Sequence, residues 1–231
     1  MALREEMESV RDRALASLNG AHDYFTYTQN AWRTVQQAVE RDGLKFSWRN
    51  RHTNSSVNEQ DAPARAERYV AEELASSSLQ QFVSIFENFL HDAFRLWLLA
   101  HPESLSKRQL SGKDIFGLPD KAAIVNALVG KELKEVFYDR PANWFEYLHD
   151  HVNTGSPLPV EAQQFAEIKA TRDVLVHGQG VANAFYFDKA GMLARAQPGQ
   201  LLDIPETYHQ ASWELICKLT RDIGSGMAAK A

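Results

Sequence analysis

RAERYVAEELASSSLQQFVSIFENFLHDAFRLWLLAH, residues 65 to 101, is the stretch that decides the fold class. Within it Leu79, Phe82, Val83, Phe86, Phe89, Leu90, Ala93, Phe94, Trp97 and Leu98 recur at intervals of three and four, so a helix would place them on one broad apolar face. Pro102, which cannot prolong a helix, stands just past the end. A face that wide has to be covered by other helices, so this segment is expected to be the core helix of a bundle. Glu87 falls between Phe86 and Phe89, close to the apolar face, and is expected to be partly buried and to need a partner.

The flanks fit the same plan. Residues 3 to about 41 read as helix, with Leu3, Met7, Val10, Ala14 and Leu18 on one side and a candidate break at Asn19-Gly20. Residues 44–64 are polar and aperiodic and read as a long loop. Its first half sets Lys45, Arg49 and Arg51 among Phe46 and Trp48, a mixture that can grip a single-stranded backbone and stack a base; the plainer reading is a solvated loop anchored by one Trp. Downstream of a connector over 103–118, Leu118-Pro119-Asp120 opens a helix to about 129. Amphipathic segments follow over 131–139 and 141–151, then a loop at 154–159, and then a helix over 160–177 stopped by Gly178.

After Gly178 the period shortens. Val181–Phe187 and Met192–Ile204, separated by Asp188-Lys189-Ala190-Gly191, read as a small β-hairpin or paired extended segments. A last helix is expected over 205–223 and a flexible tail over 224–231. The expectation is therefore a mainly α protein, one domain over residues 1–223, with N-terminal helices (1–43), a polar loop (44–64) and a core (65–222) that carries a small β-hairpin before the C-terminal helix.

Bulk properties narrow the function classes. Apolar residues make up 44% of the chain and charged residues 24%, which suits a folded core. The net charge of −5 argues against a protein that coats nucleic acid by bulk electrostatics, so any polynucleotide contact must come from a local basic patch. Cys217 is the only cysteine, which rules out an intramolecular disulfide and disfavours a Cys-based metal site. The charged N-terminus lacks an apolar signal core, and the longest apolar run, Leu96 to Ala100, is far too short to span a bilayer. No membrane association and a cytoplasmic location are expected.

The chemistry concentrates in Glu167-Ile168-Lys169-Ala170-Thr171-Arg172-Asp173-Val174-Leu175-Val176-His177-Gly178. Asp173 and His177 are four apart, on one helix face, where the carboxylate can hold an imidazole nitrogen. Arg172 is five before His177, roughly 140° around the helix, yet long enough to reach a shared cleft. Scission of RNA by its own 2′-hydroxyl needs a base or acid, which His supplies, and neutralisation of a pentavalent phosphorane, which Arg supplies; it needs neither metal nor cofactor. Arg-x4-His is a weak pattern alone, and Arg95 to His101 comes within one residue of repeating it inside the core helix. The rival metal reading, in the manner of HD phosphohydrolases, starts from His22-Asp23, His91-Asp92 and His149-Asp150, but adjacent helical residues point about 100° apart and do not converge on one ion.

Context sharpens the motif. The stretch RDVLVHGQGVANAFYF (172–187) resembles the signature end of HEPN-domain proteins: an Arg, a polar residue, a few mostly apolar residues, then His. The Gly-containing turn and Gly-Val segment after the His are similar to the RiboL-PSP-HEPN-like subgroup, and LQQFVSIFENFLHDAF (79–94) resembles that subgroup's core helix, Glu87 included. The resemblance covers roughly residues 65–222. It implies a HEPN-type helical bundle and a metal-independent endoribonuclease with catalytic Arg172, Asp173 and His177 and a supporting Glu87. It implies a homodimer whose signature helices face each other across a two-fold axis, RNA as substrate, and a toxin or antiviral-defence role restrained by an antitoxin or defence partner. The alternative is a non-catalytic HEPN module that binds nucleotides or RNA or only dimerises.

Overall fold

The computed structural model describes residues 3–58, 60–105 and 108–231, apart from the side chains of Trp48 and Ala62. Helix α1 (Leu3–Asp42) runs unbroken through Asn19-Gly20, because nothing crowds Gly20 and Leu18, Ala21 and Phe25 continue the buried stripe begun by Met7. The loop expected over 44–64 contains a short antiparallel ribbon, β1 (Ser47–Arg49) on β2 (Ser56–Asn58), with Trp48 opposite Val57.

Helix α2 (Ala62–Arg68) passes through a π-helical turn (Tyr69–Leu74) into α3 (Ala75–Ala100). The apolar positions expected to face inward on α3 are all buried, from Leu79 to Leu98. Burial of a Phe or Leu side chain contributes about 1.5–3 kcal/mol, so this face is the main source of cohesion. Short α4 (Gly112–Phe116), capped by Ser111, leads to α5 (Lys121–Tyr138), which runs straight through Gly130 and joins two segments that the sequence suggests are separate. Helices α6 (Pro141–His151) and α7 (Pro159–His177) each begin with Pro at the first turn; Glu161 accepts the Leu158 N–H at 2.8 Å.

Two expectations about the C-terminal part are corrected. The span 181–204 does not hold a hairpin turning at 188–191. Asn183 Oδ1 accepts the Tyr186 N–H at 3.1 Å and starts a helix instead, α8 (Ala184–Ala190), followed by a 3-10 turn at Gly191–Leu193. Extended pairing survives only outside it, where Val181 bridges Leu201 and Ala182 N–H donates to Gln200 O at 2.8 Å. The segment expected as a flexible tail is helical and packed: α9 (Glu206–Lys230) takes it in, with Met227 and Ala228 buried. Gly224 and Gly226, inside the span expected to be a tail, serve close packing, since an added Cβ would lie 2.8 Å from Arg11 and 2.7 Å from Thr154.

Helix α9 lies antiparallel along α1, as contacts from Arg11–Ser225 through Asn19–Cys217 and His22–Gln210 to Gln29–Glu206 record, and both cover α3. At their junction His209 is fully buried. Its Nε2 lies 2.6 Å from Ser78 Oγ, its ring stacks on Phe25 at 3.9 Å, and its Nδ1 is buried without a partner. Among the described residues no helix is long and apolar enough to cross a membrane.

Candidate functional site

Helix α7 carries the site, and its periodicity sorts the polar residues onto two sides. Lys169, Asp173 and His177 are spaced by four and form one stripe; Glu167 and Thr171 form another about 160° away. The first stripe faces a cavity of about 600 Å³ walled by α7 and α8, lined by Lys169, Arg172, Asp173, His177, Phe185 and Lys189 among others. In a chain of net charge −5, three cations against one carboxylate make this lining a local basic patch.

Arg172 is anchored from behind. Its Nη2 donates to Glu87 Oε2 on α3 and its Nη1 lies 3.1 Å from Asp173 Oδ1. Lys169 Nζ reaches Glu87 Oε1 at 2.8 Å. The structure thus brings Glu87, expected near the apolar face of α3, directly onto the Arg172 guanidinium, and leaves Arg172 Nε buried without a partner. Asp173 has a different role from the one its spacing suggests. Its carboxylate does not hold His177; it accepts from Lys189 Nζ at 2.9 Å and pairs with Arg172 and Lys169. Burial pushes the Asp173 carboxyl up, but the Lys189 hydrogen bond and the charges of Lys169, Lys189 and Arg172 outweigh it and hold the group below its usual range.

His177 occupies the last turn of α7, exposed, with no hydrogen bond to any described residue. The helix ends there for local reasons. Gln179 adopts a left-handed φ of 53°, Gly180 one of 77°, and the N–H groups of Gly178 and Gly180 both return to Val174 O. A Cβ on Gly178 would sit 3.1 Å from that carbonyl. The exit is therefore tight, and it presents the imidazole at the mouth of the cavity.

The second stripe is a closed hub. Glu167, only 4% exposed, accepts from Thr171 Oγ1 (2.8 Å), Tyr186 OH (2.9 Å), Arg195 Nε (3.0 Å) and Tyr208 OH (2.8 Å). Arg195 also donates to Asp203 O at 3.1 Å and stacks on Tyr208 at 3.5 Å from the ring centre. Burial, followed by the Glu167 charge, raises the Tyr208 hydroxyl above its ordinary value. This hub pins α8 and the following segment onto α7.

Lys169, Lys189 and Phe185 are cavity residues that the sequence reading missed. The signal for Lys169 was available in its four-residue spacing to Asp173; Lys189 and Phe185 were hidden by the assignment of α8 to a hairpin. Lys45, Arg49 and Arg51 do not line this cavity; Lys45 lies before β1, Arg49 ends it and Arg51 is in the turn that follows, and the side chain of Trp48 lies outside the described residues. The near-repeat at Arg95 and His101 is structural: Arg95 donates to Asn126 and His101 packs on Trp97. Among the described residues no three His, Cys, Asp or Glu side chains converge as a metal-holding group. No family model, curated protein or solved structure matches this chain.

Proposed function

We propose that the chain is a metal-independent endoribonuclease of HEPN type, cleaving RNA by 2′-hydroxyl attack at a site completed by two copies of the chain, in a toxin or phage-defence role. The observation that carries this reading is the convergence of Arg172 and His177 on one open, cationic cavity, with the guanidinium anchored by Glu87 and the imidazole exposed.

A neutral imidazole takes the 2′-hydroxyl proton while the oxygen attacks phosphorus. The 5′-oxygen leaves with a proton from an imidazolium, giving a 2′,3′-cyclic phosphate and a 5′-hydroxyl. In-line attack puts the two oxygens on opposite sides of phosphorus, so two copies of His177, one per protomer, suit the two roles. Exposed Val176, next to His177, and the paired Val181 and Leu201 just past the end of α7 form the kind of apolar margin that a second copy would cover. Arg172, with Lys169, neutralises the phosphorane.

The second reading, a non-catalytic RNA-binding or dimerisation module, draws on one feature: Arg172 is already paired with two carboxylates, which offset its charge before any phosphate arrives. The deciding test is incubation of labelled single-stranded RNA with the wild type and with His177→Ala in EDTA. Cleavage by the wild type alone, leaving cyclic phosphate ends, is expected. Equal cleavage by both would remove His177 from the site, and intact RNA with both proteins folded would favour the binding module.

A further inference from the structure

The far wall of the cavity is α8, and its surface is not explained by folding. The inner side of the helix is anchored, with Tyr186 buried and bonded to Glu167 and Ala190 buried, and on the surface Asp188 pairs with Arg140, the residue before α6, at 2.8 Å. Phe185 contributes nothing to that anchoring. It is 75% exposed and lines the cavity mouth. Lys189, four residues on, shares its face, so an aromatic ring and an ammonium group stand one helical turn apart on the same wall, about 6 Å along the axis. Lys189 gives one of its three protons to Asp173, leaving two for another acceptor. Asn183 commits its Oδ1 to capping α8 and lines the same cavity, with its amide protons left over.

We propose that α8 is the substrate-recognition element of this cavity, with Phe185 stacking an unpaired base and Lys189 holding an adjoining phosphate, so that the RNA taken is single-stranded. The inference rests on the ribonuclease reading for the chemistry, but its binding half stands apart from cleavage. A paired base is stacked within its helix and cannot offer a face to Phe185, whereas a splayed base can. Stacking tolerates any base, so the site would select strandedness rather than sequence. The hub behind Tyr186 fixes the helix that carries both side chains before the ligand arrives, which lowers the entropic cost of binding.

The test uses the full chain carrying His177→Ala, so that RNA stays intact, and measures anisotropy of a labelled single strand and of the same strand annealed to its complement. Phe185→Ala should weaken single-strand binding roughly 5- to 150-fold and leave duplex binding within about twofold, and Phe185→Trp should restore it. Lys189→Ala should lower the slope of log affinity against log salt by about 0.7, with Lys189→Arg retaining it; a merely structural lysine would not move that slope. In the cleaving protein Phe185→Ala should raise KM and spare kcat. If RNA binds but neither α8 substitution changes affinity or salt slope, the inference falls while the ribonuclease reading stands. If Phe185→Ala instead alters the association state, the ring belongs to a contact between copies and the inference is again overturned. If α8-dependent binding occurs and the wild type cleaves nothing, the inference holds and the activity falls. Absence of RNA binding overturns both.

Discussion

Helix α7 holds two polar clusters on opposite sides, and they are built differently. Around Glu167 every partner is spoken for: the carboxylate takes four donors, and the Arg195 guanidinium divides its protons among Glu167, Thr171 and Asp203 O. Around Arg172 the pairing is incomplete: among the described residues the buried Arg172 Nε has no hydrogen-bond partner and His177 makes no hydrogen bond, and Lys189 has protons to spare. A closed cluster of that kind fixes position, because any lost member strands a buried charge or hydroxyl. An open one retains capacity for a ligand. The difference teaches that charge on a helix becomes a binding feature through what is left unsatisfied beside a cavity, not through charge alone.

The comparison breaks most visibly if the closed side is opened. Glu167→Ala should destabilise the protein by about 3–5 kcal/mol, read by denaturant unfolding, because it leaves Arg195 and two tyrosine hydroxyls without their shared acceptor. A loss below about 1 kcal/mol would mean that the hub is dispensable. On the open side, His177→Ala should reduce cleavage by roughly 10²–10⁴-fold and leave the melting temperature alone, since the residue is exposed and makes no hydrogen bond to any described residue; parallel loss of stability would contradict that separation.

A group with no ligand role calibrates burial itself. His209 is pushed down to about 4, first by burial and then by nearby His22. Its folded value lies below the unfolded one, so its stabilising effect is present above about pH 6.5 and is lost as the pH falls toward 4, by about 3 kcal/mol in all. His209→Gln should flatten that acid limb in a stability–pH profile; an unchanged limb would assign it to other groups. The smallest effect is expected at the carboxylate of the open cluster. Asp173→Ala should cost about 1 kcal/mol and less than tenfold in activity, because Glu87 still holds Arg172 and Lys169. A loss as large as that of His177→Ala would make Asp173 a direct participant.

Much of this was legible in the sequence where periodicity is long. The face of α3 and the pairing need of Glu87 follow from spacing alone, as does the placement of Arg172 and His177 at the end of one helix. Short elements were misread because their local chemistry is ambiguous. Val181 to Phe187 is rich in β-favouring side chains, yet one cap at Asn183 and the buried anchor Tyr186 make part of it helical. Gly224 and Gly226 carry the same letters as a fraying tail, and only the approach of Arg11 and Thr154 distinguishes a breaker from a contact. The i,i+4 geometry of Asp173 and His177 was read correctly as a shared face, but the sequence could not reveal that Lys189 on α8 competes for the carboxylate and wins it.

The antiparallel seam between α1 and α9 has a consequence for how the molecule is assembled. Its bonds join residues up to 214 positions apart, as from Arg11 to Ser225. During synthesis α1 therefore emerges long before the helix that will cover it, and Met7, Val10, Leu18 and Phe25 wait with one side unmated. Loop-closure entropy makes such distant pairing a late event. A nascent chain stalled before residue 206 would present an apolar stripe to the ribosome exit or to a chaperone, and the Glu167 hub that pins α8 onto α7 would still lack Tyr208.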